Sequence, residues 1–314
     1  MRVAGLGLGL AWGRGWWPTR FAWLVTSVLL CIMPGVPSGQ SPVKSLSNEV
    51  HVRNVFVVAH QDDWQLFMGD IAGQTVRVGQ PATFVYLTAG DNGRDSVYWN
   101  TRERAALRSI QIAVGSTARE ADTTGCTSVP VLKHSLRQCV VGNTRSFFLR
   151  LPDGKRDGTG FASHEYQSMR RLRTGKIKTI TAVDGSTNYR GWKDLVSTVD
   201  ALIPDTAGFQ SVVHTTDPSV VVNPHDHFDH RMAGRLIEDL RRQRNLVVRY
   251  YVGYALATRA DNRSNEQARL KTSIFTAYDE EMMRVNKNWS AYREHPGFYS
   301  ECMLRTYART PGTR

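Results

Sequence analysis

The amino-acid sequence predicts an α/β fold, a mostly parallel sheet with helices on both faces. Three observations carry that prediction. Short apolar runs of strand length alternate with longer stretches of helical period. The first run, Val55-Phe-Val-Val58, is apolar at every position, as a strand buried on both faces requires. Polar clusters rich in His and Asp stand at the ends of two strand runs, where ligands bind in such sheets.

Residues 52–59, VRNVFVVA, form the first predicted strand. Residues 65–78 begin as helix and end irregularly. The second strand is 82–88, followed by a turn-rich loop, AGDNGR, at 89–94. Residues 101–114 are helical, with Ala105, Ala106, Ile110 and Ala113 on one face. The stretch 115–144 shows no single period. A strand at 146–151 ends in Pro152-Asp-Gly154, and a glycine-rich loop follows at 157–160. An amphipathic helix spans 192–203, a strand 209–215 and a polar loop 216–228. The helix at 230–240 carries Met232, Leu236 and Leu240 on one side. A strand at 246–252 and a helix at 266–284 complete the pattern.

The chain has 314 residues, of which 41% are hydrophobic and 22% charged, and no repeat or low-complexity tract. The first 40 residues differ. Arg2, Arg14 and Arg20 are their only charges, and the apolar run 21–33 is followed by PGVPSG. This pattern predicts a signal peptide over 1–39 and one domain over 40–314, located outside the cytoplasm. A retained membrane anchor is the alternative. At 13 residues the run is short of the roughly 20 a bilayer span needs. In that compartment Cys126 and Cys139 are placed to close a short disulfide loop, with Cys302 left unpaired. The net charge of +12 falls to +9 once the leader's three arginines are removed. The basic residues are dispersed, and no nucleic-acid-binding motif is present. The charge reads as a solvated basic face, suited to association with an anionic cell surface.

The chemistry lies in two clusters. His60-Gln-Asp-Asp63 ends the first strand. Two adjacent carboxylates repel, and a cation offsets that cost. A carboxylate there that merely caps the next helix is the plain alternative. Residues 225–230 hold three of the nine histidines and two aspartates just before a helix. If the clusters converge, histidine plus carboxylate with an open position suits catalytic Zn²⁺, and also Fe²⁺, Co²⁺ or Mn²⁺.

His60-Gln-Asp-Asp63 resembles the A-H-P-D-D-E signature of the PIG-L/LmbE-like de-N-acetylases. Asp226-His-Phe-Asp-His230 resembles their second signature, H-x-D-H. TAGDNGR at 88–94 and YWNTRERAALRSIQIAVG at 98–115 are similar to the family's following loop and helix. FLRLPDGKRDGTG and GKIKTITAVDGS are similar to segments of a secreted branch. The resemblance covers about residues 50–290. It implies a Rossmann-like fold and zinc-dependent removal of an acyl group, usually acetyl, from an N-acylated amino sugar or glycoconjugate. It implies His60, Asp63 and His230 as metal ligands and Asp62 as general base. It implies His227 as the residue that stabilises the oxyanion and protonates the amine, and Asp229 as the carboxylate that orients it. Asp91, Arg94, Arg102, Trp64 and His225 are the candidate substrate contacts. Trp64 is expected either to stack on a sugar or to pack against the first helix. Gln61, Trp64 and Phe228 depart from the signature, which has proline, glutamate and commonly proline there. Two other readings are a non-catalytic glycan- or wall-binding protein on the same fold, and a phosphoesterase, which would want a second metal.

Overall fold

In the computed structural model, residues 51–117, 121–123, 125–204 and 208–311 are described. The expected leader and its cleavage point lie outside them. Strand β1 (His51–Val58) leads into helix α1 (Asp63–Arg77), β2 (Ala82–Thr88) and α2 (Ser96–Ala113). A hairpin of β3 (Cys126–Val131) and β4 (His134–Val141) precedes β5 (Thr144–Leu151). Helix α3 (Met169–Arg173), a small hairpin of β6 (Thr179–Thr181) and β7 (Asn188–Arg190), and α4 (Gly191–Asp200) follow. Then come β8 (Phe209–Thr216), α5 (Phe228–Arg241), β9 (Val247–Tyr251) and α6 (Asn265–Val285). The chain closes with α7 (Ala291–Glu294), α8 (Pro296–Met303) and β10 (Ala308–Arg309).

The main sheet has eight strands in the order β10-β9-β8-β1-β2-β5-β4-β3. Its centre, β9 to β5, is parallel, and antiparallel strands finish both edges. The run of apolar residues in β1 serves two faces at once. Val55, Val57 and Ala59 join a core with Leu172, Leu195, Val199, Met232 and Leu236 of α3, α4 and α5. Phe56 and Val58 join the opposite core with Phe67, Ala106, Ile274 and Cys302 of α1, α2, α6 and α8. The expected α/β architecture with helices on both faces is present. From β1 the chain moves outward through β2 to β5, then returns to β8 on the other side of β1. The reversal opens a crevice at the carboxyl ends of β1 and β8.

Several boundaries move. The helix expected at 101–114 starts five residues earlier, because Asp95 caps it by accepting from the Tyr98 amide at 3.1 Å. The stretch without a period is the β3–β4 hairpin. β3 is an edge strand with much of its length exposed, so no buried face imposes alternation. Cys126 pairs across from Cys139 in the ladder, and the two form a disulfide, while Cys302 is free and buried. The bridge spans 13 residues of chain. Reducing it is expected to lower stability by roughly 3 kcal/mol, read as a fall in the denaturant midpoint on adding reductant.

His214 of β8 is buried in the main sheet. Its ring hydrogen-bonds the Tyr251 hydroxyl at 2.8 Å and the Asn54 amide oxygen at 2.9 Å, and stacks on Phe56. Burial, aided by the nearby Arg249 charge, pushes its pKa down to about 3. The unfolded chain takes up a proton below about pH 6.5 and the folded chain does not. This residue's contribution is therefore complete above that pH and is lost as pH falls towards 3. The expected slope is about 1.4 kcal/mol per pH unit. Comparing unfolding of the native chain and His214→Asn across that window isolates it.

Candidate metal centre and active site

The first cluster occupies the turn between β1 and α1. Gln61 is fully buried and donates from Nε2 to the Thr88 carbonyl at 2.9 Å, which ties the turn to β2. Asp62 stands at the N-cap of α1 but makes no capping bond. Its carboxylate instead accepts from Arg102 Nη2, and the same guanidinium donates to Tyr278 Oη and the Gly90 carbonyl, each at 2.8 Å. Asp62 is therefore held by α2 and left partly open to the crevice.

The second cluster follows β8 and is braced from beneath. Arg309 grips Asp217 with Nε and Nη2 at 2.5 and 2.9 Å. Asn223 donates to the Asp217 carbonyl at 2.9 Å and accepts from the Gly253 amide at 2.8 Å. Helix α5 then begins at Phe228. His227 is its N-cap, with Nδ1 accepting from the Asp229 amide at 3.2 Å. His230, in the first turn, points back into the crevice between the Phe67 and Tyr254 rings, at 5.3 and 5.0 Å.

Across 170 residues of sequence the two clusters meet. His60 Nδ1 lies 3.1 Å from His230 Nε2 and 3.5 Å from Asp63 Oδ1, and His230 Nε2 lies 3.0 Å from Asp63 Oδ1. Ligands about 2.0–2.1 Å from a tetrahedral zinc ion stand about 3.3 Å apart, so the three atoms match that spacing. Their outer partners fit as well. His230 Nδ1 lies 2.9 Å from Asp226 Oδ1, which keeps the proton on Nδ1 and leaves Nε2 to face the site. Asp63 Oδ2 accepts from the His60 amide at 2.7 Å, so Oδ1 is the oxygen presented. A second group, His60, Asp153, His227 and Asp229, is looser, with His-to-Asp separations of 3.6–3.8 Å.

Two of the carboxylates sit where glycine lets them. A Cβ on Gly154 would run into Asp229 Oδ1, and one on Gly253 into Asp226 Oδ2. Gly154 also donates its amide to Asp229 Oδ2 at 2.7 Å. Three buried polar atoms of this region, His60 Nε2, Asp226 Oδ2 and Asp229 Oδ1, have no hydrogen-bond partner.

The field of the site favours positive charge on the ligand side. Burial alone would lower the His230 pKa, but the Asp63 and Asp226 carboxylates push it up to about 10. His60 is raised in the same way, with Asp63 the largest opposing influence to burial. His227 goes the other way. Burial, then the charges on His60 and His230, hold it far below its ordinary value and therefore neutral. With Nδ1 accepting from the backbone, its proton sits on Nε2, which faces Asp153 Oδ1 at 3.7 Å. Asp153 is pushed up to about 6, chiefly by burial.

The structure brings His60, Asp63, His227, Asp229 and His230 together, with Asp62 beside them. The Asp229 carboxylate lies 3.6 Å from His60 Nε2 and 3.8 Å from His227 Nδ1, beside both rings, and it is the Asp229 backbone amide that hydrogen-bonds His227. The expected substrate contacts fare less well. Trp64 is fully buried, packed on Phe84 and bonded through Nε1 to Tyr86 Oη at 3.0 Å, so it is a core residue and no sugar platform. Asp91 is buried with both oxygens engaged, by the Asp153 and Gly93 amides and by His164 Nε2, and organises the loop instead of facing a ligand. Arg102 is committed to Asp62, not to a surface carboxylate. Arg94 is exposed and lies over the Tyr98 ring. His225 is exposed at the mouth, with φ at +57°.

Asp226 and Asp153 are the site residues sequence reasoning missed. Asp226 was visible four residues before His230, the spacing that lets a helix-start carboxylate reach an imidazole. Asp153 was hidden in a Pro-Asp-Gly that reads as a strand terminator. Asp226→Ala is expected to weaken cation affinity about 10–100-fold, measured by competition against a chelating dye.

A family model described as "PIG-L: GlcNAc-PI de-N-acetylase" matches residues 55–240. No curated protein matches. Among solved structures, a deacetylase of the teicoplanin biosynthesis pathway is 15% identical, with 82% of this chain and 96% of that chain covered and a TM-score of 0.42. The N,N'-diacetylchitobiose deacetylase of Pyrococcus horikoshii is also 15% identical, with coverage of 85% and 86% and a TM-score of 0.41. A 4-carboxy-2-hydroxymuconate hydratase of Pseudomonas putida is 13% identical, with coverage of 84% and 98% and a TM-score of 0.40.

Proposed function

The chain belongs to the PIG-L family, described as GlcNAc-PI de-N-acetylases, and on that premise we propose that it is a metal-dependent hydrolase that removes an N-acetyl group from an amino sugar or related glycoconjugate. The observation that carries the reading is the meeting of His60, Asp63 and His230 at tetrahedral spacing, with Asp62 beside them and uncommitted to helix capping. His60, Asp63 and His230 would hold one divalent cation; Zn²⁺ suits the donor set, as do Fe²⁺, Co²⁺ and Mn²⁺. When bound, such an ion polarises the amide carbonyl and acidifies water.

The chain's own residues supply the rest. Asp62, fixed by Arg102, takes the proton of the attacking water as its oxygen bonds the carbonyl carbon. His227 donates from Nε2–H to the developing oxyanion, as a neutral imidazole. Breaking the C–N bond passes the proton held at Asp62 to the amine nitrogen and releases acetic acid, whose remaining water-derived proton is lost to solution as it ionises to acetate. Asp153 and Asp229 flank His60 and His227 with negative charge, and the Asp229 amide fixes the His227 ring through Nδ1.

The apolar run 21–33 and the Cys126–Cys139 disulfide support a location outside the cytoplasm. A pulse-chase of a tagged chain, followed by fractionation and sizing, tests that location. For the activity, the test is acetate release from N-acetylated sugars by protein treated with chelator and then given back Zn²⁺. Acetate that appears only after reconstitution supports the reading. Glycan binding with no acetate from any substrate would point to the non-catalytic alternative.

A further inference from the structure

Beside His225 and Asp226 opens a cavity of about 510 Å³, lined by Lys155, Arg156, Asp157, Phe228 and Arg231. A second, of about 240 Å³, is lined by Arg170, Arg171 and Lys176 among others. Phe228 joins the two, with the Arg170 guanidinium 4.5 Å and that of Arg231 5.7 Å from its ring. Six cations thus line two cavities that adjoin at the Arg170–Phe228 contact, one residue along the chain from His227, and together form a basic mouth. Dispersed over 77 positions of sequence, they form no charge run.

What these cations bind is informative. Arg156, Arg170, Arg171 and Arg231 donate to the backbone carbonyls of His225, Asp157, Tyr166 and Asn223 at 2.9, 2.6, 2.9 and 3.2 Å. None of the six is ion-paired with a carboxylate among the described residues, whereas Arg102, Arg150, Arg263, Arg305 and Arg309 elsewhere are. Asp157, an acid within the mouth, is occupied by the Thr159 amide and hydroxyl. Arg231 Nε is buried without a partner. The carbonyls fix the guanidinium planes and leave these cations without a carboxylate in direct ion-pair contact among the described residues. Concave, predominantly basic walls concentrate the potential, and fixed arginine forks match carboxylate and phosphate oxygens.

We propose that this mouth is a subsite for a negatively charged stretch of the substrate, so that the N-acetylated glycan is a polyanion bearing carboxylate or phosphodiester groups. The inference rests on the deacetylase reading. Acetate release is measured from three chains of equal length: a neutral chitin oligosaccharide, an N-acetylheparosan oligosaccharide with carboxylates, and an N-acetylglucosamine phosphate polymer. Binding of polygalacturonate and polyphosphate, which carry no amide, is measured in parallel. The proteins compared are the native chain, Lys155→Gln/Arg171→Gln/Lys176→Gln, and a charge-matched Arg77→Gln/Arg145→Gln/Arg249→Gln.

The expected result is at least about ten-fold higher kcat/KM on an anionic chain, carried by KM and eroded by salt. The mouth variant loses this preference and the matched variant keeps it. Whichever anionic chain is preferred identifies the anion. Equal rates on neutral and anionic chains, with polyanion binding the same in all three proteins, would overturn the subsite and leave the deacetylase intact. No acetate from any chain, with polyanion binding lost only in the mouth variant, would overturn the deacetylase reading and support the anion site.

Discussion

Asp62→Asn is expected to lower kcat on an N-acetylated sugar by about 10²–10⁴-fold while the cation stays bound. Asparagine keeps the shape and one oxygen towards Arg102, so the turn between β1 and α1 is preserved. It cannot take a proton from water. Asp62 is not among the three atoms that meet at the centre, so elemental analysis should return the same metal content as the native chain. Near-native turnover by Asp62→Asn would place the base elsewhere, and Asp153 would be the next residue to test. Loss of metal together with activity would mean that Asp62 belongs to the ligand set.

Removing a true ligand should look different. Asp63→Ala and His230→Ala are each expected to weaken cation binding by more than about 100-fold, beyond the range for losing an outer partner. Activity should fall with occupancy and not recover at equimolar metal. In Asp63→Ala the His60 amide also loses its acceptor, so a partial loss of stability accompanies the effect. Thermal unfolding with and without Zn²⁺ separates the two contributions. The native chain should gain about 2.7 kcal/mol when free metal is at a hundred times its dissociation constant, and the variants should gain little. An unchanged metal-dependent shift in either variant would remove that residue from the centre.

How much of this was written in the sequence depends on the residue. The residues that converge were legible because two adjacent carboxylates and a histidine crowd the end of an apolar strand, and because the second cluster is dense in histidine. The alternation of strands and helices was legible because a sheet buried on both faces leaves strong apolar runs. The β3–β4 hairpin was not, since an edge strand with an exposed face needs no fixed period. Trp64 misled because adjacency to the site in sequence says nothing about direction. On α1, one position past Asp63, the side chain turns into the core. Asp91 and Arg102 were found as site residues but with the wrong partners, because both spend their polar atoms on the protein. The basic mouth was invisible because its cations come from three separate segments, and only the fold adds them together.

The two halves of the ligand set lie on opposite sides of the chain reversal at β1 and β8. A growing chain therefore carries His60 and Asp63 long before His230 exists, and no fragment that stops short of α5 can close the centre. A cation held by these residues would be a late guest. It can lock only a chain whose β8 strand has already returned beside β1, and so it reports completed threading of the sheet. If the chain is exported unfolded, in line with the leader its sequence predicts, such an ion would be collected at the destination, and the metal supply there would decide how much of the chain becomes active.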